Sequence, residues 1–244
     1  MALTDNLEGY WKFDESSGNA SDSTANGNTL TNNNTATYGP AVINNGAYLA
    51  SASTQFFSKS DTASLSITGD LSISGWFYNT DSAVSGTFVS KWLDAGNQRG
   101  YIFDYDPASS GTLRLVLSTT GSDFPLVTVT GASLSSTTFY YLTMTFKAST
   151  SKVNFYKNAS LVGAEQTISA SSIFDNTADF TVGMDTGGKG YLNGRVDELG
   201  VWARVLTGAE ITELYNGGAG LSYPFTPDSA SPRRFDLKLL GVGQ

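Results

Sequence analysis

The chain has 244 residues, a formal charge of −8, and neither cysteine nor histidine. The missing residue types exclude disulfides, zinc sites with Cys or His ligands, a Ser-His-Asp triad and a cysteine nucleophile. The acidic balance argues against nucleic acid or an anionic membrane surface as a partner, because either would be repelled. Carboxylates are therefore the remaining candidates for metal ligands and acid–base groups.

Short β-strands are predicted along most of the chain. After a first strand near Trp11, runs rich in β-branched and aromatic residues are separated by Gly, Asn, Asp and Ser turns. The candidate strands are 47–50, 55–58, 71–78, 87–92, 101–106, 112–118, 126–130, 139–146, 152–157, 178–183 and 195–204. This number of strands predicts an all-β fold, a two-sheet antiparallel sandwich spanning residues 1–220.

A single short helix is predicted after the last strand. Thr207 is a suitable N-cap, and Glu210, three residues later, completes a capping box. One apolar stripe follows, formed by Ile211, Leu214 and Tyr215. A helix of about two turns is marginal alone in water, so this one is expected to dock on a sheet.

Asp197 lies in a predicted core strand, where a carboxylate needs a charged or metallic partner. Its partner could be a metal ion, a nearby arginine (Arg195 or Arg204) or backbone amides. Strand alternation predicts that the neighbouring Glu198 side chain points to the opposite face.

The loop after the first strand is rich in oxygen ligands. It holds Asp14, Glu15, Asp22, Asn26 and Asn28, with glycines that allow carbonyl groups to turn inward. Such a loop beside a strand is typical of a calcium site. The alternative is a flexible polar loop.

Several stretches, in this order and spacing, resemble the laminin G-like, or concanavalin A-like, jelly-roll superfamily, which includes pentraxins and many bacterial and phage modules. They are GYWKFDESSGNASDSTANGN, LSISGWFYN, FVSKW, FYYLTMTFKASTSKVNFYKNASLVG and GRVDELGVWARVLTGAEITELYNGG, the last giving the best match, and they cover about residues 7–218. The resemblance implies a concanavalin A-like jelly roll with a lectin-type function.

The resemblance also implies a structural calcium ion held by the early loop and the closing strand. Asp22 and Asp197 are mapped as side-chain ligands, and Asn26 and Asn28 as carbonyl ligands, with Asp14 as a further candidate. Hard oxygen ligands favour calcium over a transition metal.

Carbohydrate binding without catalysis is the predicted activity. Sugar sites in such folds combine an aromatic platform with polar groups for the hydroxyls. The loop after β-strand 87–92 offers that combination in Trp92, Asp94, Asn97, Gln98, Arg99 and Tyr101. A glycoside hydrolase would need two carboxylates across a bound sugar. Asp104 and Asp106 share a strand face, but they are expected to be rim charges.

The last 24 residues, 221–244, are predicted to form an extended arm, because they hold three of the six prolines. Its apolar residues, Phe235, Leu237, Leu239 and Leu240, are predicted to anchor it on another copy or on a neighbouring structural protein. No signal peptide or membrane-spanning run is found. These features favour a lectin-like phage virion protein of the head-decoration or fibre type. The alternative is a free lectin module of a bacterial surface or secreted protein.

Overall fold

The structure, a computed structural model, describes residues 1–81, 83–107, 112–185 and 190–226. Within these ranges the chain forms β-strands and one short α-helix. The strands are β1 Leu7–Trp11, β2 Thr31–Asn33, β3 Thr37–Pro40, β4 Asn45–Leu49, β5 Phe56–Lys59, β6 Leu71–Asn79, β7 Gly86–Leu93, β8 Gln98–Asp106, β9 Thr112–Leu117, β10 Leu126–Val129, β11 Phe139–Lys147, β12 Lys152–Lys157, β13 Ser160–Leu161, β14 Gln166–Thr167, β15 Phe180–Val182 and β16 Gly194–Trp202, and the helix is α1 Gly208–Tyr215.

The strands form two antiparallel sheets. A nine-stranded sheet has the order β13-β12-β11-β6-β16-β4-β3, with β1 paired to β16 and β14 paired to β12. A seven-stranded sheet has the order β10-β9-β8-β7-β15-β5-β2. This architecture confirms the predicted all-β sandwich. Among the described residues, no helix has the length and apolar character of a membrane span.

The inter-sheet core follows from strand alternation. On β6, Leu71, Ile73 and Phe77 point between the sheets and are almost fully buried. Trp76 points to the outer face of the nine-stranded sheet, where a second core forms. Apolar side chains on both faces of one strand therefore give the molecule two packed layers.

Helix α1 covers part of the outer face of the nine-stranded sheet. The predicted capping box is present, because Glu210 N donates to Thr207 Oγ1 and Thr207 N donates to Glu210 Oε2. Ile211 and Leu214 are buried in the outer core beside Trp202. The predicted docking of a marginal helix on a sheet is thus confirmed.

Each of the eleven predicted strand segments overlaps an observed strand. Four short strands that the sequence did not predict, β2, β3, β13 and β14, lie at or near the sheet edges. They contain Asn, Thr, Ser, Gln and Gly and lack an apolar alternation that would distinguish them from turns. Pairing with a neighbouring strand makes them β-structure.

The chain continues over the outer face after the helix. Phe225 is 7 % exposed and packs in the outer core, together with the partly buried Leu221 and Tyr223. The first six residues of the predicted arm therefore contact the sandwich. The predicted assembly residues Phe235, Leu237, Leu239 and Leu240 lie outside the described residues.

Candidate binding site

Three of the predicted ligand-binding residues meet at one end of the seven-stranded sheet. Arg99 Nε donates to Asp94 Oδ1 at 2.8 Å, and Trp92 Nε1 donates to the same oxygen at 2.9 Å. The guanidinium carbon of Arg99 lies 5.7 Å from the centroid of the Trp92 ring. One carboxylate thus fixes an aromatic ring and a cation together.

Phe124 completes this group and was missed from the sequence. The guanidinium carbon of Arg99 lies 5.7 Å from the Phe124 ring centroid, and Arg99 Nη1 donates to the carbonyl of Ser122. Phe124 is 63 % exposed, and Leu126 nearby in sequence is 52 % exposed. A large aromatic residue in a Ser-Asp-Phe-Pro turn was the available signal, because a turn offers it little burial.

The outer face of the seven-stranded sheet continues this group as an apolar row. Leu126 pairs with Val116, and Val116 pairs with Ile102. Val116 and Ile102 are buried together with Trp92 in a small cluster of their own. We define the Trp92 patch as Trp92, Asp94, Arg99, Phe124 and Leu126.

The other three predicted ligand residues have structural contacts. Gln98 Oε1 accepts hydrogen bonds from Thr177 N at 2.8 Å and Thr177 Oγ1 at 3.0 Å. Asn97 adopts φ 56° in the turn before β8. Tyr101 is fully buried in the inter-sheet core, and burial raises the pKa of its hydroxyl. Asn97 and Gln98 therefore shape the loop, and Tyr101 belongs to the inter-sheet core.

The candidate catalytic carboxylate Asp104 is held by an arginine. Arg114 Nε lies 2.9 Å from Asp104 Oδ1, and Arg114 Nη2 lies 2.6 Å from Asp104 Oδ2. Asp104 is completely buried, whereas Asp106 is 9 % exposed and accepts from Ser85 Oγ at 3.4 Å. A two-point ion pair with Arg114 occupies both oxygens of Asp104.

Asp22 organises the early loop through hydrogen bonds. Its Oδ1 accepts from Tyr10 N at 3.1 Å and Thr24 N at 2.9 Å, and its Oδ2 accepts from Thr24 Oγ1 and Asn28 N at 2.8 Å. Asn26 and Asn28 both donate their side-chain amides to the carbonyl of Glu8. The structure therefore brings Asp22, Asn26 and Asn28 together beside β1.

Asp197 has a different set of partners. Its Oδ2 accepts from Val42 N at 3.0 Å and Ile43 N at 2.9 Å, whereas its Oδ1 is buried with no hydrogen-bond partner. The backbone-amide alternative is therefore correct for one oxygen. The two arginines considered as partners are engaged elsewhere, Arg195 between tyrosine rings and Arg204 with Glu210.

Glu198 lies on the same side as Asp197, contrary to the alternation argument. A bulge interrupts the β16–β6 register between Asp197 and Gly200, and Glu198 has φ 50°. Glu198 Oε2 accepts from Tyr10 in the outer core at 2.5 Å, and its Oε1 is buried without a partner. The bulge thus buries both carboxylates on the same side of β16.

Both buried carboxyl groups hold their protons more tightly than usual. Burial raises the pKa of Asp197 to about 8, opposed by the amide hydrogen bonds and reinforced by Glu198. Burial likewise raises the pKa of Glu198 to about 7, opposed by the Tyr10 hydrogen bond. The charge of Asp14 adds to both shifts.

Asp14 lies close to this pair through the loop after β3. Asp14 Oδ1 accepts from Asn45 N at 3.1 Å, and Asp14 Oδ2 accepts from the Asn44 side chain at 3.2 Å. A cleft of about 550 Å³ is lined by Asp14, Asn44 and the chain around Gly220. Among the described residues, no three Asp, Glu, His or Cys side chains are grouped so as to hold a metal ion. Calcium stays a prediction.

Several solved structures share the fold. The binding domain of Paraclostridial Mosquitocidal Protein 1 superposes with a TM-score of 0.66 at 16 % identity, over 87 % of this chain and 52 % of that one. The botulinum neurotoxin serotype G binding domain gives 0.66 at 14 % identity, over 86 % and 50 %. This chain therefore spans about half the length of those binding domains.

A third structure matches over nearly its whole length. Domain 4 of AbnA, a GH43 extracellular arabinanase from Geobacillus stearothermophilus, was solved in complex with arabinotriose. It gives a TM-score of 0.64 at 18 % identity, over 85 % of this chain and 97 % of that one. No curated protein matches the sequence.

The sequence identities to these structures are too low to show a family, but a family model does match the chain. The model described as the concanavalin A-like lectin/glucanases superfamily matches residues 50–212, which extend from the end of β4 into α1. This range includes β6 and the bulged strand β16, which are neighbours near the centre of the nine-stranded sheet, and most of the seven-stranded sheet. The chain therefore belongs to the concanavalin A-like lectin/glucanase superfamily, in its laminin G-like branch.

Proposed function

We propose that the protein is a non-catalytic carbohydrate-binding module whose ligand stacks on the Trp92 patch. The observation that carries this proposal is Phe124, an aromatic ring 63 % exposed beside the Arg99 guanidinium. A sugar ring has an apolar face for such a ring and hydroxyls that suit the Asp94–Arg99 pair. The arabinotriose complex of the similarly folded AbnA domain supports this ligand class.

The absence of catalysis is part of the proposal. Asp104 is buried and engaged on both oxygens by Arg114, so it is unsuited to attack or protonate a sugar. Glu198 is buried under Tyr10, and Asp197 is buried under Val42 and Ile43. The contacts of Asp104, Asp197 and Glu198 thus support structural roles. The similarly folded mosquitocidal and botulinum structures are named as binding domains.

The test is glycan binding by an alanine variant. We expect Phe124→Ala to weaken the Kd for a glycan selected on an array at least tenfold, which is about 1.4 kcal/mol. Leu161→Ala is the matched control, because Leu161 is 48 % exposed on the other sheet. Equal binding by Phe124→Ala and wild type would remove the Trp92 patch from the proposal, and detectable hydrolysis of the bound glycan would overturn its non-catalytic part.

A structural calcium ion belongs to the same proposal. The unpartnered buried oxygens of Asp197 and Glu198 support a cation there, since two buried carboxylates without one must take up protons. The sequence mapped Asp22, Asn26 and Asn28 as further ligands, whereas Asp14 is the carboxylate whose charge acts on the buried pair. Because Asp14, Asp197 and Glu198 are not grouped so as to hold an ion among the described residues, the proposal requires them to move closer together when calcium binds. Calcium would supply positive charge to this cluster and tie the early loop to β16.

Chelation tests the ion and separates the two ligand sets. We expect a chelator to lower the Tm of the wild type, and Asp197→Asn and Asp14→Asn to remove that difference. Asp22→Asn should retain it, because Asp22 bonds Tyr10 N, Thr24 and Asn28 N within the early loop and β1, whereas the charge of Asp14 acts on the buried pair. The exposed Asp175→Asn serves as control. A wild-type melt that does not change with chelator would contradict calcium binding.

We further propose that the module is displayed on a particle or an extracellular surface. A lectin-type module acts where glycans are, and the apolar residues at 235–242 favour anchoring on another subunit. The decoration or fibre role rests on that tail and on the resemblance to phage modules. The free lectin module is the alternative, and the mass of the native protein distinguishes the two.

A further inference from the structure

A row of aromatic rings and one arginine crosses the outer face of the nine-stranded sheet, away from the Trp92 patch. Arg195 on β16 is paired in register with Tyr48 on β4 and with Tyr78 on β6. Its guanidinium carbon lies 3.9 Å from the Tyr48 ring centroid and 4.5 Å from that of Tyr78. Tyr78 in turn pairs with Phe139 on β11, with ring centroids 5.1 Å apart.

This row remains open to solvent. Tyr48, Tyr78, Phe139 and Arg195 are all half-buried. The adjoining row is covered, because Trp76 contacts Tyr215 of α1 at 5.6 Å between ring centroids. The open row therefore lies just beyond the layer formed by α1 and the residues that follow it.

Arg195 differs from the other arginines in the described part of the chain because it has no carboxylate partner. Arg99, Arg114 and Arg204 each form a salt bridge with a carboxylate. Arg195 has no such bridge and no hydrogen bond there, and its contacts are the faces of the two tyrosine rings. Ring faces attract a cation but leave the N–H groups along the guanidinium edge available to an acceptor.

Polar side chains border the row on two sides. Thr37 on β3 is exposed and pairs with Tyr48. Thr80 N donates to Asn193 O at 2.9 Å, which continues the β6–β16 pairing beyond Gly194. Alternation places Thr80 and Asn193 on the same face as Tyr78 and Arg195. Hydroxyl and amide groups therefore flank a guanidinium held between rings.

We propose that this row, the Arg195 ladder (Tyr48, Tyr78, Phe139 and Arg195), is a second ligand site that takes a carboxylated sugar. The carboxylate pairs with the N–H edge of Arg195, and the sugar ring packs against the solvent-facing edges of the tyrosine rings, whose faces hold the guanidinium. Because the rings already fix the guanidinium, less side-chain entropy is lost on binding. The net charge of −8 opposes a polyanion, so the ligand is a single acidic sugar and not nucleic acid.

The test compares acidic and neutral oligosaccharides of equal length on the full chain. Ligand-observed NMR and calorimetry would use glucuronate-terminated and sialic-acid-terminated oligosaccharides, each against a neutral counterpart. We expect binding of at least one acidic series, no binding of its neutral counterpart at this site, and loss of the acidic binding in Arg195→Met. Arg195→Lys keeps the charge but not the planar fork, so we expect at least tenfold weaker binding.

Paired variants keep the two sites distinguishable. Phe124→Ala should leave acidic-sugar binding intact, and Arg195→Met should leave neutral-glycan binding at the Trp92 patch intact, so either proposal can fail alone. Tyr78→Leu provides a variant that retains Arg195, and thermal unfolding checks that each variant is folded. Either of two results would overturn the Arg195 ladder as a site. One is acidic-sugar binding that persists in folded Arg195→Met, and the other is that no acidic oligosaccharide binds the wild type at millimolar concentration.

Discussion

At the residue scale, the buried carboxyl groups of Asp197 and Glu198 make stability depend on protonation. Each has one oxygen in a hydrogen bond and one oxygen buried without a partner. A carboxylate in that position is destabilised by lost hydration unless a proton or a cation compensates. The pair therefore links folding to pH and, in the proposed site, to calcium.

The calcium-free protein should lose stability as pH rises from about 5 to about 8.5. The folded-state pKa values of Asp197 and Glu198 are raised to about 8 and about 7, from ordinary values of 3.8 and 4.5. In that range the folded chain keeps protons that the unfolded chain releases, so the free energy of unfolding falls with pH. Urea unfolding in chelator across this range measures the slope.

Asp197→Asn provides the matched variant for that profile. The amide is neutral at every pH and can still accept from Val42 N and Ile43 N. In chelator at pH 8.5 we expect it to be more stable than wild type, with a flatter pH profile. A wild-type profile that rises or stays flat from pH 5 to 8.5 would contradict the raised pKa values.

At the element scale, the helix shows how local signals and packing combine. The Thr207–Glu210 capping box satisfies the first turn, and Asn216, with φ 47°, ends the helix. Asparagine adopts this left-handed conformation more easily than most residues, so it can end a helix as glycine does. Ile211 and Leu214 then hold the helix on the sheet.

We expect Thr207→Ala to lower the free energy of unfolding by about 1 kcal/mol, because Glu210 N and Glu210 Oε2 lose a partner. Thr212→Ala is the control, since the exposed Thr212 hydroxyl bonds only Gly208 O within the helix. Urea unfolding measures both. Equal stability of the two variants would mean that packing alone holds the helix in place.

At the scale of the whole molecule, the sandwich presents two separate faces. The seven-stranded sheet carries the Trp92 patch, and the nine-stranded sheet carries α1, the buried carboxylates and the Arg195 ladder. Residues up to Thr226 contact the second face, where Tyr10 and Phe225 rings lie 5.1 Å apart. Because residues 221–226 pack on the sandwich, a shortened chain should end at Thr226 rather than at Gly220.

A chain ending at Thr226 should fold with the same Tm as the full chain, because it retains the buried Phe225. If the tail is an assembly device, the full chain should form a larger species, and the shortened chain should be monomeric. Light scattering after size exclusion measures both masses. Two monomers of equal Tm would remove the support for particle assembly and favour the free lectin module.

Much of the architecture could be predicted from the order of residues alone. Alternation in LSISGWFYN and related runs identifies strands because side chains on a strand alternate between faces. The Thr207 capping box identifies the helix because it is a local pattern. The carboxylate-rich loop and the Trp92 loop were identified as candidate sites by their residue types, and Trp92, Asp94 and Arg99 do meet.

Other features depend on contacts between residues far apart in sequence, and only the tertiary structure decides them. A bulge at Asp197–Gly200 turns Glu198 to the side of Asp197, against the alternation that a regular strand would have. Phe124 reaches Arg99 because the turn before β10 lies against the start of β8. Arg195 meets Tyr48 and Tyr78 only through the β4–β16–β6 register. Sequence thus determined the layers and their local signals, whereas register and bulges, which depend on long-range pairing, decided which side chains share a site.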